Sequence, residues 1–293
     1  MLEGTATGRP WRAYGIDLSC AFAAPETVRS LWSGTVGEPL HESLVGDGSR
    51  LRVERGAGGD HRVLYDSFEL HLSPDLAVLT CAPPPEPSAA WERALLDWAP
   101  YAAAVLAGRH CLHASAVGLE AGVVAFTAAA GGGKTTLAAE LVARGATFFC
   151  DDVLALEPGD GRVLAHPGPP FASLDAGLAP LAQRIGRARG RIGEELWVKV
   201  ERRASAPAPL AAVVLLERRA GGPAEPAIGP ADFFALRGAA VGFAAGPDER
   251  ERFAVLAALA GEAELLRLQA SPAVPAERLA AAIAAHFEGA PER

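Results

Sequence analysis

The segment Val123–Asp152, VVAFTAAAGGGKTTLAAELVARGATFFCDD, constrains the fold more than any other part of this 293-residue chain. Its apolar run Val123–Phe126 predicts a buried strand, and the alanine- and glycine-rich turn that follows leads through Gly133-Lys134-Thr135 into an alanine-rich helix. A strand, a glycine loop and a helix in this order are typical of a phosphate-binding site. The sequence therefore predicts an α/β fold whose loop holds a nucleotide.

Backbone N–H groups of this loop are expected to form an anion nest, strengthened by the positive end of the helix dipole. The candidate nucleotide-binding residues are Ala129, Ala130, Gly131, Gly132, Gly133, Lys134, Thr135 and Thr136. Lys134 would reach the β- and γ-phosphates, and the Thr135 hydroxyl would ligate Mg²⁺. Ala128 replaces the first glycine of the G-x-x-x-x-G-K-[ST] pattern, which is tolerated if its φ is negative. The alternative is a glycine-rich helix start with a chance lysine.

A pair of aspartates follows the helix at a spacing that returns them to the loop. The helix is expected to end near Arg144-Gly145, and Thr147–Cys150 predicts a short strand parallel to Val123–Thr127 after a right-handed crossover. Asp151-Asp152 would then lie beside the loop, within reach of Mg²⁺ and the γ-phosphate. Because adjacent residues on an extended chain point opposite ways, only one need face the phosphate. Helix capping or a turn is the structural alternative.

His113 is a third candidate, placed by a predicted hairpin. The runs Ala114–Gly118 and Val123–Thr127 flank a turn at Leu119–Gly122, which indicates two antiparallel strands. Folding the chain there would set His113 opposite Thr127, at the start of the loop. An imidazole in that place could hold a phosphate oxygen or tune a carboxylate base, whereas the alternative is a structural histidine.

The segment His113–Leu156 resembles the catalytic core of the HPr kinase/phosphorylase superfamily. In that family a histidine precedes a hairpin strand, a phosphate loop follows, and an Arg-Gly turn leads through a short strand to an aspartate pair. The same elements stand here in the same order, as His113, Gly131–Thr135, Arg144-Gly145 and Asp151-Asp152. The resemblance implies a P-loop core of the HPr kinase and phosphoenolpyruvate carboxykinase type, a mixed sheet with flanking helices. It also implies ATP, Mg²⁺ and phosphate transfer to a serine hydroxyl.

By the same resemblance, Asp151 is the catalytic base, Asp152 a carboxylate on the metal side and His113 the residue that supports the base. The chain lacks, after Pro158, the glycine- and arginine-containing segment that HPr enzymes use for the reverse phosphorolysis. It is more similar to divergent HPr-kinase-related proteins of biosynthetic cassettes, including kinases that phosphorylate lasso-peptide precursors at a serine.

The first part of the chain has a different pattern and predicts a separate module. Strands are expected at Tyr14–Phe22, Arg50–Arg55, Arg62–Leu72 and Leu76–Cys81, before a proline cluster that ends at Pro87. We therefore predict a β-rich N-terminal module over residues 1–87, suited to substrate docking, and a P-loop kinase-like domain over residues 88–293. Ser88–Ala107 predicts an amphipathic helix capped by Ser88.

The net charge indicates which class of partner is excluded, and the cysteines indicate the cellular compartment. The formal net charge of −8 argues against a nucleic-acid binder. No apolar run approaches the length of a membrane span, and the four scattered cysteines indicate reduced thiols in a cytoplasmic protein. Four arginines within Arg184–Arg191 predict either a mobile loop that closes on the triphosphate or on an acidic peptide, or a solvated surface loop. Whether the chain is a homo-oligomer stays open.

Three functions are consistent with this pattern. The first is an ATP- and Mg²⁺-dependent kinase in which Lys134 and the loop amides neutralise the γ-phosphate while Asp151 accepts the proton of a serine hydroxyl on a peptide or protein. The second keeps the nucleotide site but uses a small hydroxylated metabolite as acceptor. The third is a nucleotide-binding regulator or assembly partner without catalysis, which Ala128 and the missing signature segment favour.

Overall fold

The computed structural model describes residues 11–32, 38–44, 50–65, 68–159, 162–232, 240–241 and 249–288. It is a mixed α/β protein, as the sequence predicts, and it divides into two compact units. The first comprises Met1–Arg109 with Gly242–Asp248, and the second comprises His110–Val241 with Glu249–Arg293.

The first unit is built on a sheet with the order β1-β2-β7-β6-β5-β4-β3 in the described residues. Its strands are β1 Trp11–Ala13, β2 Ile16–Phe22, β3 Glu38–Leu44, β4 Arg50–Arg55, β5 His61–Tyr65, β6 Phe68–Leu72 and β7 Val78–Cys81. All pairs are antiparallel except β2 with β7. Alternate strand residues such as Leu18, Leu70 and Leu79 are fully buried, which explains the β-rich pattern of this region. The predicted strand Arg62–Leu72 is wrong as a single strand, because the chain reverses between Tyr65 and Phe68.

Helices complete the first compact unit, which extends to Arg109. Besides α1, Pro25–Leu31, the helical segment contains α2 Ala89–Arg93, a π-helical turn Ala94–Trp98 and α3 Ala99–Leu106. Ser88 caps it as predicted, since its hydroxyl accepts the N–H of Trp91 at 3.2 Å. Trp91 is buried against Phe22 of β2, with ring centroids 6.1 Å apart. The predicted boundary at residue 87 precedes this segment, whereas the compact unit ends at Arg109 because the helix packs on the first sheet.

The second unit contains a mixed sheet in which ten described strands take part. They are β8 His110–His113, β9 Ser115–Leu119, β10 Gly122–Thr127, β11 Thr147–Cys150, β12 Val153–Pro158, β13 Val163–His166, β17 Ala208–Arg218, β18 Ala227–Pro230, β19 Ala240–Val241 and β20 Glu264–Ala270. Their path is β11-β9-β10-β17-β13-β12-β8-β19, and β20 pairs with β17 and β18. The pairs β10–β17 and β17–β20 are parallel. Their C-terminal ends therefore share one edge of the sheet.

Within the described part of the second unit, a small second sheet and four helices cover the mixed sheet. The small sheet has the order β14-β16-β15, with β14 Phe171–Asp175, β15 Gly186–Ile192 and β16 Glu195–Val200. The helices are α4 Lys134–Ala143, α5 Ala179–Ile185 after the 3₁₀ turn Ala176–Leu178, α6 Glu249–Glu262 and α7 Ala276–Glu288. Residues of α4, α5, α7 and the small sheet form one apolar core cluster on the mixed sheet, and residues of α6 join another. The predicted loop over Arg184–Arg191 is therefore wrong, because Arg184 belongs to α5 and the other three arginines belong to β15.

Helix lengths and hydropathy set one further limit. Among the described ranges, the structure contains no helix that is both long enough and apolar enough to cross a membrane.

Candidate active site

The glycine loop joins the end of β10 at Thr127 to the start of α4 at Lys134. Gly131 has φ 72° and Gly133 has φ 92°, which is the left-handed region that glycine adopts without strain. A methyl group on Gly132 would lie 2.6 Å from Ala128 Cβ and 2.9 Å from Ala129 O. The run of three glycines is therefore required by the backbone path. Ala128 is not among the described non-glycine residues with positive φ, which confirms the condition on which its substitution was tolerable.

Lys134 is the first residue of α4 and lies largely buried against the loop. Its Nζ donates to Ala128 O over 3.5 Å, at the limit of a hydrogen bond. The ammonium is thereby folded back over the loop rather than extended into solvent. A bond this long is readily exchanged for one to an anion held by the loop amides.

Asp151 is the residue directly after β11, and its carboxylate accepts hydrogen bonds from three other elements. Its Oδ1 accepts hydrogen bonds from Ser115 Oγ at 2.6 Å and from Thr135 Oγ1 at 2.8 Å. Its Oδ2 accepts the backbone N–H of Ser173, on β14, at 3.0 Å. Desolvation by burial, and then the charge of Asp152, raise the pKa of Asp151 to about 6, although the three hydrogen bonds oppose that rise. A carboxyl of this pKa is ionised at neutral pH and basic enough to take a proton.

The predicted crossover explains how Asp151 reaches Thr135. Strands β10 and β11 are both antiparallel to β9, so they run in the same direction as predicted, but β9 lies between them. Their C-terminal ends lie at the same edge of the sheet, which brings the residue after β11 to the first turn of α4. The 2.8 Å contact between Asp151 and Thr135 is the result.

Asp152 turns the chain at the end of β11. It has φ 60°, an uncommon conformation for a residue with a side chain and one that concentrates at functional sites. Its carbonyl oxygen accepts hydrogen bonds from His113 Nδ1 at 2.9 Å and from the N–H of Ala114 at 3.2 Å. The strained turn is thus held from the strand that carries the histidine. The metal-side role of the Asp152 carboxylate stays a prediction.

His113 reaches the site by another route than the predicted one. The hairpin register pairs Phe126 with Ser115, and His113 belongs to β8, where it pairs with Val153 of β12. The predicted pairing with Thr127 is therefore wrong, because the chain changes strand partner at Ala114. Burial, and then the charge of Lys134, lower the pKa of His113, so its imidazole is neutral at pH 7. Since a carbonyl only accepts, Nδ1 carries the proton and Nε2 is the acceptor.

Three residues of the site escaped prediction from the sequence. Ser115 is fully buried, and the only signal for it is a hydroxyl inside an apolar strand. Ser173 contributes a backbone N–H, which no side-chain pattern reports. Arg218 ends β17, the parallel neighbour of β10, and its Nη1 would lie 3.6 Å from a methyl group on Gly133. Its Nη2 donates to Pro272 O and Val274 O, which fixes a guanidinium beside the loop.

The described residues contain no cluster of three or more His, Cys, Asp or Glu side chains that alone could hold a metal. The hydroxyl of Thr135, in the first turn of α4, nevertheless fits Mg²⁺. This ion is commonly bound through one or two protein oxygens together with substrate phosphates and water. A site that is complete only with a nucleotide is compatible with that donor set.

Comparison with known proteins gives a distant structural likeness. No protein-family model matches the sequence, and no curated protein is detectably similar to it. Among solved structures, the Hpr(Ser) kinase/phosphatase from Coxiella burnetii matches over 61% of this chain and 88% of its own, with 14% identity and a TM-score of 0.36. A likeness at this level carries no functional argument, so the geometry of the site has to supply one.

Proposed function

We propose that this protein is an ATP- and Mg²⁺-dependent kinase that transfers the γ-phosphate to a serine hydroxyl of a peptide or protein. The proposal depends on the carboxylate of Asp151, which accepts a hydrogen bond from the Thr135 hydroxyl at the end of the glycine loop. It places a base of suitable pKa next to the hydroxyl that a loop of this pattern offers to a metal. The backbone around it is strained and held by several elements, as expected of a preorganised site.

The residues have separate tasks in this reaction. The amides from Ala129 to Thr136 and the ammonium of Lys134 hold the triphosphate, and Arg218 adds positive charge beside Gly133. Thr135 and Asp152 would hold Mg²⁺, which neutralises phosphate charge when it is bound. Asp151 takes the proton of the serine hydroxyl while the serine oxygen bonds to the γ-phosphorus and the bond from that phosphorus to the β–γ bridging oxygen breaks. ADP leaves, and Asp151 returns its proton to solvent.

His113 acts on this chemistry through the backbone. Its Nδ1–H bond to Asp152 O holds the turn that directs Asp151 toward Thr135. This is the supporting role that the motif order implies. The same order motivates the finer proposals, a P-loop fold of the HPr kinase and phosphoenolpyruvate carboxykinase type and a ribosomally made precursor peptide as acceptor. We propose both without support from the structural likeness.

Transfer from γ-labelled ATP tests the function directly. The purified protein is incubated with Mg²⁺ and serine-containing peptides, and the products are analysed by mass spectrometry against the same peptides with alanine in place of serine. We expect phosphate on the serine, and we expect Lys134→Ala to abolish it nearly completely because a charge on the γ-phosphate is lost. Stoichiometric ATP binding without transfer to any peptide would favour a regulator, and transfer to a small hydroxylated compound alone would favour a metabolite kinase.

A further inference from the structure

Three arginines lie on β15, one outer strand of the small sheet, and the other outer strand, β14, contacts the candidate base. Strand β14 gives Asp151 the N–H of Ser173, and β14 and β15 flank β16 on opposite sides. The register aligns Ser173 with Trp197 and Trp197 with Gly190. A row of residues thus leads from Asp151 across the sheet to its outer strand, over two strand spacings or about 10 Å.

The next row on the same face is basic. It aligns Phe171 with Lys199 and Lys199 with Arg187, and the ring of Phe171 stacks on Trp197 at a centroid distance of 4.2 Å. Lys199 and Arg187 are exposed, as are Arg189 and Arg191 farther along β15. We call Arg187 and Lys199 the basic face, because Arg191 pairs with Leu196 and so lies on the opposite face of the sheet. Its cationic side chains lie beside the aromatic stack, in the row next to the one that starts at Asp151.

The charge of this region is opposite to that of the chain. Residues 184–203 contain seven basic and three acidic side chains, a net charge of +4, in a chain of net charge −8. Arg187 contacts Glu201 at 3.2 Å and Arg191 contacts Glu194 at 2.7 Å, but these side chains are at least half exposed. Exposed pairs of this kind contribute only about 0–1 kcal/mol, so they exchange readily for the charges of a ligand.

We propose that the basic face docks an acidic segment of the acceptor peptide, an inference that rests on the proposed serine kinase function. A serine at Asp151 lies roughly 8–12 Å from Lys199 and Arg187 by strand spacing and rise, which an extended peptide covers in about three residues. The preferred substrate therefore has acidic side chains starting about three residues from the acceptor serine. Arginines on an edge strand also discourage aggregation between sheets, and this role alone would require no peptide.

Binding of labelled peptides in the absence of ATP tests the docking separately from catalysis. The probes are serine peptides with four glutamates that start three residues from the serine, on either side, and matched peptides with glutamine instead. By fluorescence anisotropy at low salt, we expect one acidic peptide to bind at least about tenfold more tightly than its glutamine counterpart, with affinity falling as salt rises.

Charge reversal locates the site. Arg187→Glu with Lys199→Glu should remove most of that preference, whereas Arg187→Lys with Lys199→Arg should keep it. Arg12→Glu with Arg50→Glu, which reverses two exposed arginines of the first unit, is the matched control and should change the affinity little. Thermal unfolding verifies that each variant is folded. Equal binding of acidic and glutamine peptides, equal effects of the two charge reversals, or equally tight binding of a single-stranded oligonucleotide would overturn the proposal.

A failed kinase assay would not by itself contradict peptide binding at the basic face, since no step of docking requires transfer. An inactive protein that binds the acidic peptide through the basic face would contradict the proposed function alone. An active kinase indifferent to the acidic residues would contradict only the docking.

Discussion

Asp151 joins the structure of the site to its chemistry because its carboxylate collects donors from β9, α4 and β14. The sequence indicates Asp151 and Thr135 separately through the motif, and their contact results from the crossover. Ser115 could not be recognised in advance, since a serine in an apolar strand is usually satisfied by the backbone. Its importance depends on the neighbour that β11 brings to it.

Replacing Ser115 by alanine should raise the pKa of Asp151. The hydroxyl donates to the ionised carboxylate and so lowers this pKa, and its loss favours the protonated form. Carboxyl NMR titration of the metal-free protein should give an Asp151 pKa of about 6 in the wild type and a higher value in Ser115→Ala. As the pH falls, Asp151 of the variant is therefore protonated at a higher pH than Asp151 of the wild type.

Ser88→Ala is the control for that titration. It removes the serine that caps α2 and should cost about 1 kcal/mol of stability without moving the Asp151 pKa. An unchanged or lower pKa in Ser115→Ala would show that the hydroxyl does not act on the base.

The glycine loop illustrates how a backbone path selects residues. The sequence predicts the loop, the hairpin β9–β10 and the direction of β11, because each depends on local pattern and on crossover handedness. It does not predict that β9 lies between β10 and β11, since strand order is decided by contacts distant in sequence. Nor does it predict β15, whose arginines show no apolar alternation and whose extended form depends on pairing with Glu195–Val200.

Gly132→Ala should disrupt the loop. Its methyl group would meet Ala128 Cβ at 2.6 Å and the carbonyl oxygen of Ala129 at 2.9 Å, so the backbone must shift. We expect weaker ATP binding by calorimetry, by about tenfold or more, and some loss of stability of roughly 1–3 kcal/mol.

Gly261→Ala in α6 is the matched control for the loop variant. A methyl group there has nothing within 4 Å, so this change should leave ATP affinity unaltered and stabilise the helix by roughly 0.5–1 kcal/mol. Equal ATP affinities of Gly132→Ala and Gly261→Ala would contradict the required loop path.

The two compact units assign the helical segment 89–106 to the first sheet, although the proline cluster before it is the natural boundary in the sequence. Composition shows the break in pattern at the prolines but not which sheet buries the tryptophans. The contact of Trp91 with Phe22 decides this, and it joins residues about seventy positions apart.

Trp91→Ala should destabilise the first unit by about 3–5 kcal/mol, because it empties a fully enclosed site. Calorimetry with and without ATP distinguishes the units, since a ligand raises only the transition of the unit that binds it. We expect Trp91→Ala to lower the midpoint temperature of the unfolding transition that ATP does not shift. Leu31→Ala, an exposed position of the same unit, should change it by no more than about 0.5 kcal/mol. A loss confined to the ATP-sensitive transition would place the helices in the second unit.

The molecule as a whole is explained if the mixed sheet serves to present Asp151 to a nucleotide and an acceptor hydroxyl. The most direct measurement is single-turnover transfer from γ-labelled ATP to a serine peptide by the wild type and by Asp151→Asn, each saturated with ATP and Mg²⁺. The amide keeps the shape of the side chain and cannot take the proton. We predict unchanged ATP affinity with transfer slower by about 10²–10⁴-fold in Asp151→Asn, whereas transfer at the wild-type rate would contradict Asp151 as the base.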